Sequence, residues 1–342
     1  MENTATKKLG FACKWLDDPT ETVDMKINAR NRELNTSTTT VAWLNRQTRE
    51  VAEQRLWDLM IHNITAARLL VSAVAKLPES QRMVRLGSDI LPVYTEASWS
   101  YFWQKTDVKR YAEQEFIKVG NTARESGVRL SMHPGQFCVL ASTTDDIVER
   151  SIEEFEYHAN MARWMGYGQQ FQDFKINVHI SGRQGPDGIR KVLPRLSTTA
   201  RNCITIENDE NSWGLDASLE LENDVPLVLD IHHHWIRTGE YIQANDDRVK
   251  RVADSWRGVR PAMHYSVSRE DYLVGFDHTV LPDMTALLAA GYKKQKLRAH
   301  SDFYWNTAAN DWALGFNNDF DIMCESKAKN LASTRLFEHR TA

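Results

Sequence analysis

The sequence predicts a single α/β domain, an eight-stranded parallel (β/α)8 barrel. Three observations carry that reading. Short apolar runs alternate with longer amphipathic stretches, nearly every run ends in a histidine or a carboxylate, and no Pro/Gly/Ser linker divides the 342 residues. Alternating strand and helix is the pattern of a parallel sheet with helices packed outside it. One domain is expected over 1–342, with a barrel core over about 8–330 and a short C-terminal tail. Barrels of about 250 residues or more form one domain.

Nine runs read as strands: Lys8–Ala12, Met83–Gly87, Val128–Met132, Lys175–Ile180, Cys203–Glu207, Pro226–Ile231, Ala262–Tyr265, Leu297–His300 and Asp321–Glu325. Several are almost continuously apolar, as strands buried on both faces should be. A barrel uses eight, so one run is surplus. Leu297–His300 is the expected extra, because it follows another run without a clean helix of its own. Between the runs, Val41–Leu56 and Ile147–Met165 carry apolar residues at helical spacing. Asn31–Thr40 and Gly182–Thr199 read as βα loops or insertions. No glycine-rich phosphate fingerprint follows the first strand, which argues against a dinucleotide fold and an organic cofactor.

Composition sets outer bounds. Hydrophobic residues make up 42% and charged residues 26%, ordinary values that exclude a disordered chain. No apolar run approaches the roughly 18 residues of a membrane span. The start lacks a long apolar segment, so a cytoplasmic protein is expected, nucleoid-associated or, in a eukaryote, nuclear, and not a secreted one. The four cysteines form no CxxC pair and read as small buried hydrophobes in a reducing compartment. The net charge of −4 is unlike the basic balance of a DNA-coating protein, although an acidic metal site and a basic groove can coexist.

The placement of ionisable residues is more informative. Barrel active sites lie at the C-terminal ends of strands. Here successive strand ends run into His133, His179, Glu207, Asp230, His264, His300 and Glu325, with His233 at Asp-x-x-His spacing from Asp230. One histidine after a strand is usually just a satisfied polar residue, and one carboxylate is usually a helix cap. Gathered at one mouth, such groups would repel or stay poorly solvated unless cations joined them. Eight exceed the needs of one ion, so two or three ions sharing a bridging carboxylate are expected. Mixed imidazole and carboxylate ligation suits Mn, Zn or Fe. His232 and His234 read as bystanders, His158 as a core or supporting histidine, and His62, His278 and His339 as surface or core residues.

A metal cluster of this kind yields hydroxide at neutral pH and neutralises a phosphoryl transition state. The same barrel with similar ligands also isomerises sugars, and the ligand set alone does not separate the two.

The strings R85-L-G-S-D-I-L-P92, S131-M-H-P-G-Q-F137, N177-V-H-I-S-G182, I206-E-N-D209, L229-D-I-H-H-H-W235, M263-H-Y-S266, A299-H-S-D-F303 and E325-S-K-A-K329 occur in that order. Together they resemble the UV damage endonuclease family, a relative of endonuclease IV in the xylose isomerase-like TIM-barrel superfamily. The likeness runs from Leu9 to about Asn330. It implies a monomer with long βα loops forming a DNA groove at the C-terminal face. It implies a metal-dependent enzyme that nicks double-stranded damaged DNA immediately 5′ to UV photoproducts and related lesions, leaving a 3′-hydroxyl. Three divalent ions are implied, manganese first and zinc or iron as alternatives.

Carried over by motif, the ligands are His133, His179, Glu207, Asp230, His233, His264, His300 and Glu325. Glu207 and Glu325 are the bridging carboxylates and, with His264, the candidate catalytic residues. Gln136 and Phe137 fall where the family wedges two side chains into the duplex, and Phe11 where an aromatic lines the lesion pocket. An amide can bond exposed base edges, and a ring can replace lost stacking.

Two departures stand out. Glu96 takes the place of a histidine assigned near the scissile phosphate. Pro261 and Ala262 stand where a lysine commonly precedes the metal histidine, and its loss is expected to remove a charge close to the metals. Lysines and arginines in Arg183–Arg195 and at Lys293, Lys294 and Lys296 default to solvated surface. A damaged-DNA-binding protein that cuts poorly and a sugar isomerase or epimerase are the alternatives. The Gln136–Phe137 pair and the eighth ligand argue against the isomerase.

Overall fold

The computed structural model describes residues 6–17 and 29–341. Eight strands are present among them: β1 (Leu9–Ala12), β2 (Met83–Arg85), β3 (Arg129–Met132), β4 (Lys175–His179), β5 (Ile204–Glu207), β6 (Leu227–Val228), β7 (Ala262–Tyr265) and β8 (Asp321–Cys324). Their order is β6-β5-β4-β3-β2-β1-β8-β7, and every pair is parallel. The ends of that sheet meet. A parallel bridge joins Asp230 to His264, and the His264 amide donates to the Leu229 carbonyl at 3.0 Å. The sheet is therefore a nearly closed barrel of the TIM type, with the strands' C-terminal ends at one mouth.

The ninth run, Leu297–His300, is the surplus one. It begins at the end of a short helix (Lys294–Leu297) and adds only an antiparallel bridge between His300 and Ser268. One expectation is corrected. Val41–Leu56 is not one helix. It breaks after Val41–Leu44 and restarts at Arg49–Val74, because Thr48 is extended and its hydroxyl accepts the Val51 amide as an N-cap. The stretches read as loops or insertions hold short helical structure. Ala29–Leu34 is a 3-10 turn, and Gly185–Val192 is a helix entered through Pro186 and followed by the 3-10 turn Leu193–Arg195.

The helices Arg49–Val74, Thr106–Glu125 and Asp145–Trp164 pack outside the sheet with their apolar faces inward. Phe116, Phe155, Met161 and Leu56 are fully buried there. At the N-terminal end of the barrel, Asp321 accepts from Arg129 at 2.6 Å and from Arg260 at 2.7 Å, and takes the Lys8 amide at 2.9 Å. This network ties β1, β3 and β8 together on the face opposite the mouth.

At the mouth, Gly182 ends the turn after β4 with φ +97°, and a Cβ there would sit 2.4 Å from the Ala141 carbonyl. Only glycine fits, so the β4 loop can press against the segment after β3. Of the cysteines, Cys138, Cys203 and Cys324 are buried, Cys13 is half-buried, and all four are free.

Candidate metal centre at the barrel mouth

Glu207 is the hub. It ends β5, is fully buried, and accepts from the Asn177 amide, which is itself held by Thr205 Oγ1 at 2.9 Å. Glu207 Oε1 lies 2.9 Å from His264 Nδ1, and Oε2 lies 3.4 Å from His133 Nε2 and 3.8 Å from His179 Nε2. Glu325 follows β8, pairs with Arg85 from the end of β2, and lies 3.2 Å from His264 Nδ1.

Asp230 caps the helix Ile231–Thr238 by accepting the His233 amide at 2.7 Å. β6 has already ended at Val228. The Asp230–His233 spacing is thus a helix-start spacing rather than one along a strand.

Three groups of ligand atoms come close enough to hold cations: His133, His179 and Glu207; Glu207, Asp230 and His233; and Asp230, His264 and Glu325. Seven of the eight expected ligands are among them. His300 stands outside all three groups, with its ring edge-on to His232 at 6.0 Å.

The electrostatics are those of a site waiting for positive charge. Burial opposes ionisation of Glu207, but His264 and His179 outweigh it and hold the carboxyl well below its usual range. Glu325 is likewise held down, by Arg85 and His264 against burial. Asp230 goes the other way, to about 8, through burial and repulsion from Glu207 and Glu325. Its Oδ2 is buried with no hydrogen-bond partner. An orphaned carboxylate oxygen between two other carboxylates and two imidazoles is what a divalent cation would complete. His233 is raised to about 10, its burial overcome by Asp230, Glu207 and Glu210. Burial lowers His133 to about 4, which leaves a free imidazole lone pair.

The supporting hydrogen bonds fix which nitrogen faces the cluster. His133 Nδ1 donates to the Pro134 carbonyl at 2.8 Å, and His179 Nδ1 donates to Asp209 at 3.2 Å. Asp209 is in turn pinned by the amides of Asn211 and Ser212 at 2.7 and 2.6 Å. Both rings therefore offer Nε2 to Glu207, an arrangement typical of metal-ligating histidines.

Sequence reasoning missed Lys175. It opens β4, is buried to 3% exposure, and its Nζ lies 2.8 Å from His264 Nε2. Burial lowers it to about 7. Pro261 and Ala262 bring no lysine to His264, and β4 supplies an amine to the same histidine from across the barrel. Its signal in the sequence was a lone lysine at the head of a buried strand.

The remaining expected residues fall as follows. Phe137 is 84% exposed on the turn after β3, beside exposed Gln136, so it does not pack in the barrel. Phe11 is 1% exposed and sits edge-on to Trp15 at 5.9 Å. It lies under the surface, and Trp15 is the more open ring there. Glu96 bonds the Ser98 amide within its own turn at 2.9 Å and belongs to none of the three groups. His158 is fully buried on its helix, and His234 pairs with Glu240 at 2.9 Å.

A nearly closed parallel barrel with a histidine–carboxylate cluster at its mouth defines a class, and solved structures share the fold. SacUVDE superimposes with a TM-score of 0.71 at 20% identity, covering 98% of this chain and 97% of that one. Endonuclease IV from Thermus thermophilus gives 0.53 at 13% identity over 82% of this chain and 93% of the other. The chain belongs to the UV-endonuclease UvdE family, which matches residues 8–341. The UV-damage endonuclease of Schizosaccharomyces pombe is 29% identical over 73% of this chain, which spans only 39% of that protein's length.

Proposed function

We propose that this chain is a metal-dependent DNA repair endonuclease that nicks double-stranded DNA immediately 5′ to UV photoproducts and related lesions. The whole chain acts as one domain and as a monomer. The observation that carries the reading is the set of three cation-ready groups linked through Glu207 and Asp230 at the mouth of a UvdE-family barrel.

His133, His179, Glu207, Asp230, His233, His264, His300 and Glu325 hold three divalent ions, manganese by preference with zinc or iron as substitutes. Ions bound there supply charge neutralisation for the phosphoryl group and a nucleophile from water at neutral pH. The chain's own residues do the rest. Asn177 and Arg85 orient Glu207 and Glu325, which with His264 surround the reacting phosphodiester. Gln136 and Phe137 enter the duplex, where the exposed ring replaces stacking lost at the lesion. The protein works at the nucleoid, or in the nucleus of a eukaryotic host.

The test uses a labelled duplex with a single photoproduct, added Mn, an EDTA control and a Glu207→Gln variant. We expect a nick 5′ to the lesion that EDTA abolishes and that Glu207→Gln lowers by at least about 100-fold, the scale of losing a preorganised charged group in an active site. Lesion-selective binding without any nick would instead support a damage-binding protein. Restoring histidine at Glu96 would then be the next variant.

A further inference from the structure

We infer that Glu210 is a metal ligand that shares an ion with His233 Nε2. The inference rests on the metal-site reading above and adds to it one residue.

The argument starts from His233. Its Nδ1 lies 3.0 Å from the main-chain oxygen of Asn208. A carbonyl oxygen only accepts, so Nδ1 carries the hydrogen and has no lone pair for a cation. The same logic makes Nε2 the ligand atom of His133 and His179, where Nδ1 is also tied up and Nε2 faces Glu207. Applied to His233, it gives a different answer from proximity alone. Glu207 and Asp230 lie 3.5 and 3.7 Å from His233 Nδ1, the occupied nitrogen. The carboxylate facing the available nitrogen is Glu210, with Oε2 3.6 Å from Nε2. Two donors bound to one ion at about 2 Å each stand this far apart.

Glu210 is built for the task. Its side chain is 11% exposed. Its other oxygen, Oε1, accepts from the Asn211 amide at 2.7 Å and from Arg298 at 3.2 Å. Those bonds orient the carboxylate and leave Oε2 toward His233. Arg298 lies two residues before His300, the one expected ligand outside the three compact groups.

The experiment loads metal-free protein with Zn2+ alone, removes excess by dialysis, and counts ions per chain by mass spectrometry. Nitrogen-15 shifts of the histidine rings are followed in parallel. The variants are Glu210→Gln, His233→Ala and Asp230→Asn, each checked for folding by circular dichroism. We expect Glu210→Gln and His233→Ala each to lose the same single ion and keep the others. We expect zinc to move the His233 Nε2 resonance in wild type, and Glu210→Gln to abolish that movement. Asp230→Asn should leave it in place. Full occupancy in Glu210→Gln, or a zinc-induced shift at His233 Nδ1, overturns the inference and leaves the metal-site reading intact. Wild type that binds no zinc overturns both.

Discussion

His158 shows what a single buried imidazole does to the molecule. It is fully buried, donates Nδ1–H to the Glu154 carbonyl at 2.7 Å, and leaves Nε2 without a partner. Burial lowers its pKa below the ordinary 6.5. The unfolded chain therefore takes up the proton first as pH falls. The stability this group contributes is present above about 6.5 and is lost below it, with a limiting slope of about 1.4 kcal/mol per pH unit. Urea titrations between pH 7 and 5 should show that slope, and His158→Phe should make it shallower. An unchanged slope would mean that other groups carry the acid sensitivity. At this scale much of the site was legible in the sequence. A histidine or carboxylate after a strand is visible in one dimension, and seven of the eight do converge. Lys175 and Glu210 were not legible, because their meaning depends on which ring nitrogen they face across the barrel, and chain order carries no such information.

At the scale of elements, the strands were easier to read than what joins them. Buried parallel strands announce themselves as apolar runs, and the surplus run was the one that forms no barrel strand. Helix boundaries were harder. The periodicity over Val41–Leu56 continues through a break that one threonine cap creates. The segment after β4 looked like a loop because glycine and proline fill it, yet both serve a helix there. Gly182 supplies a backbone that side chains rarely adopt, and Pro186 enters the first turn. Gly182→Ala should cost more than about 1 kcal/mol, since the substitution adds a left-handed strain and a backbone clash. The cost should register as a lower urea midpoint with an unchanged m value.

For the whole molecule, the two ends of the barrel have separate jobs. The mouth gathers histidines and carboxylates in groups that could hold cations, whereas the opposite end pairs Asp321 with Arg129 and Arg260. Asp321 is 2% exposed, and its removal takes the buried counter-charge from two guanidinium groups. Asp321→Asn should destabilise the protein by about 3–5 kcal/mol, the usual penalty for breaking a buried ion network. Metal stoichiometry of the folded protein should stay as in wild type. A variant that instead loses ions at full stability would show that the two ends are coupled.

The barrel also has a seam. β6 is the shortest strand among the described residues, two residues long, and there the hoop is fastened by the bridge between Asp230 and His264 and the His264–Leu229 hydrogen bond. The same two side chains share a cation-ready group with Glu325. An ion held there would act as a clasp, stitching the first and last staves of the cylinder. Chelation should then loosen the hoop at this one place. Hydrogen exchange of the His264 amide, bonded to Leu229 across the seam, should speed up in EDTA, while amides between β3 and β4 keep their protection. Equal exchange with and without chelator would leave the closure to the backbone alone. If the clasp holds, starving the protein of metal opens its wall along with emptying its site.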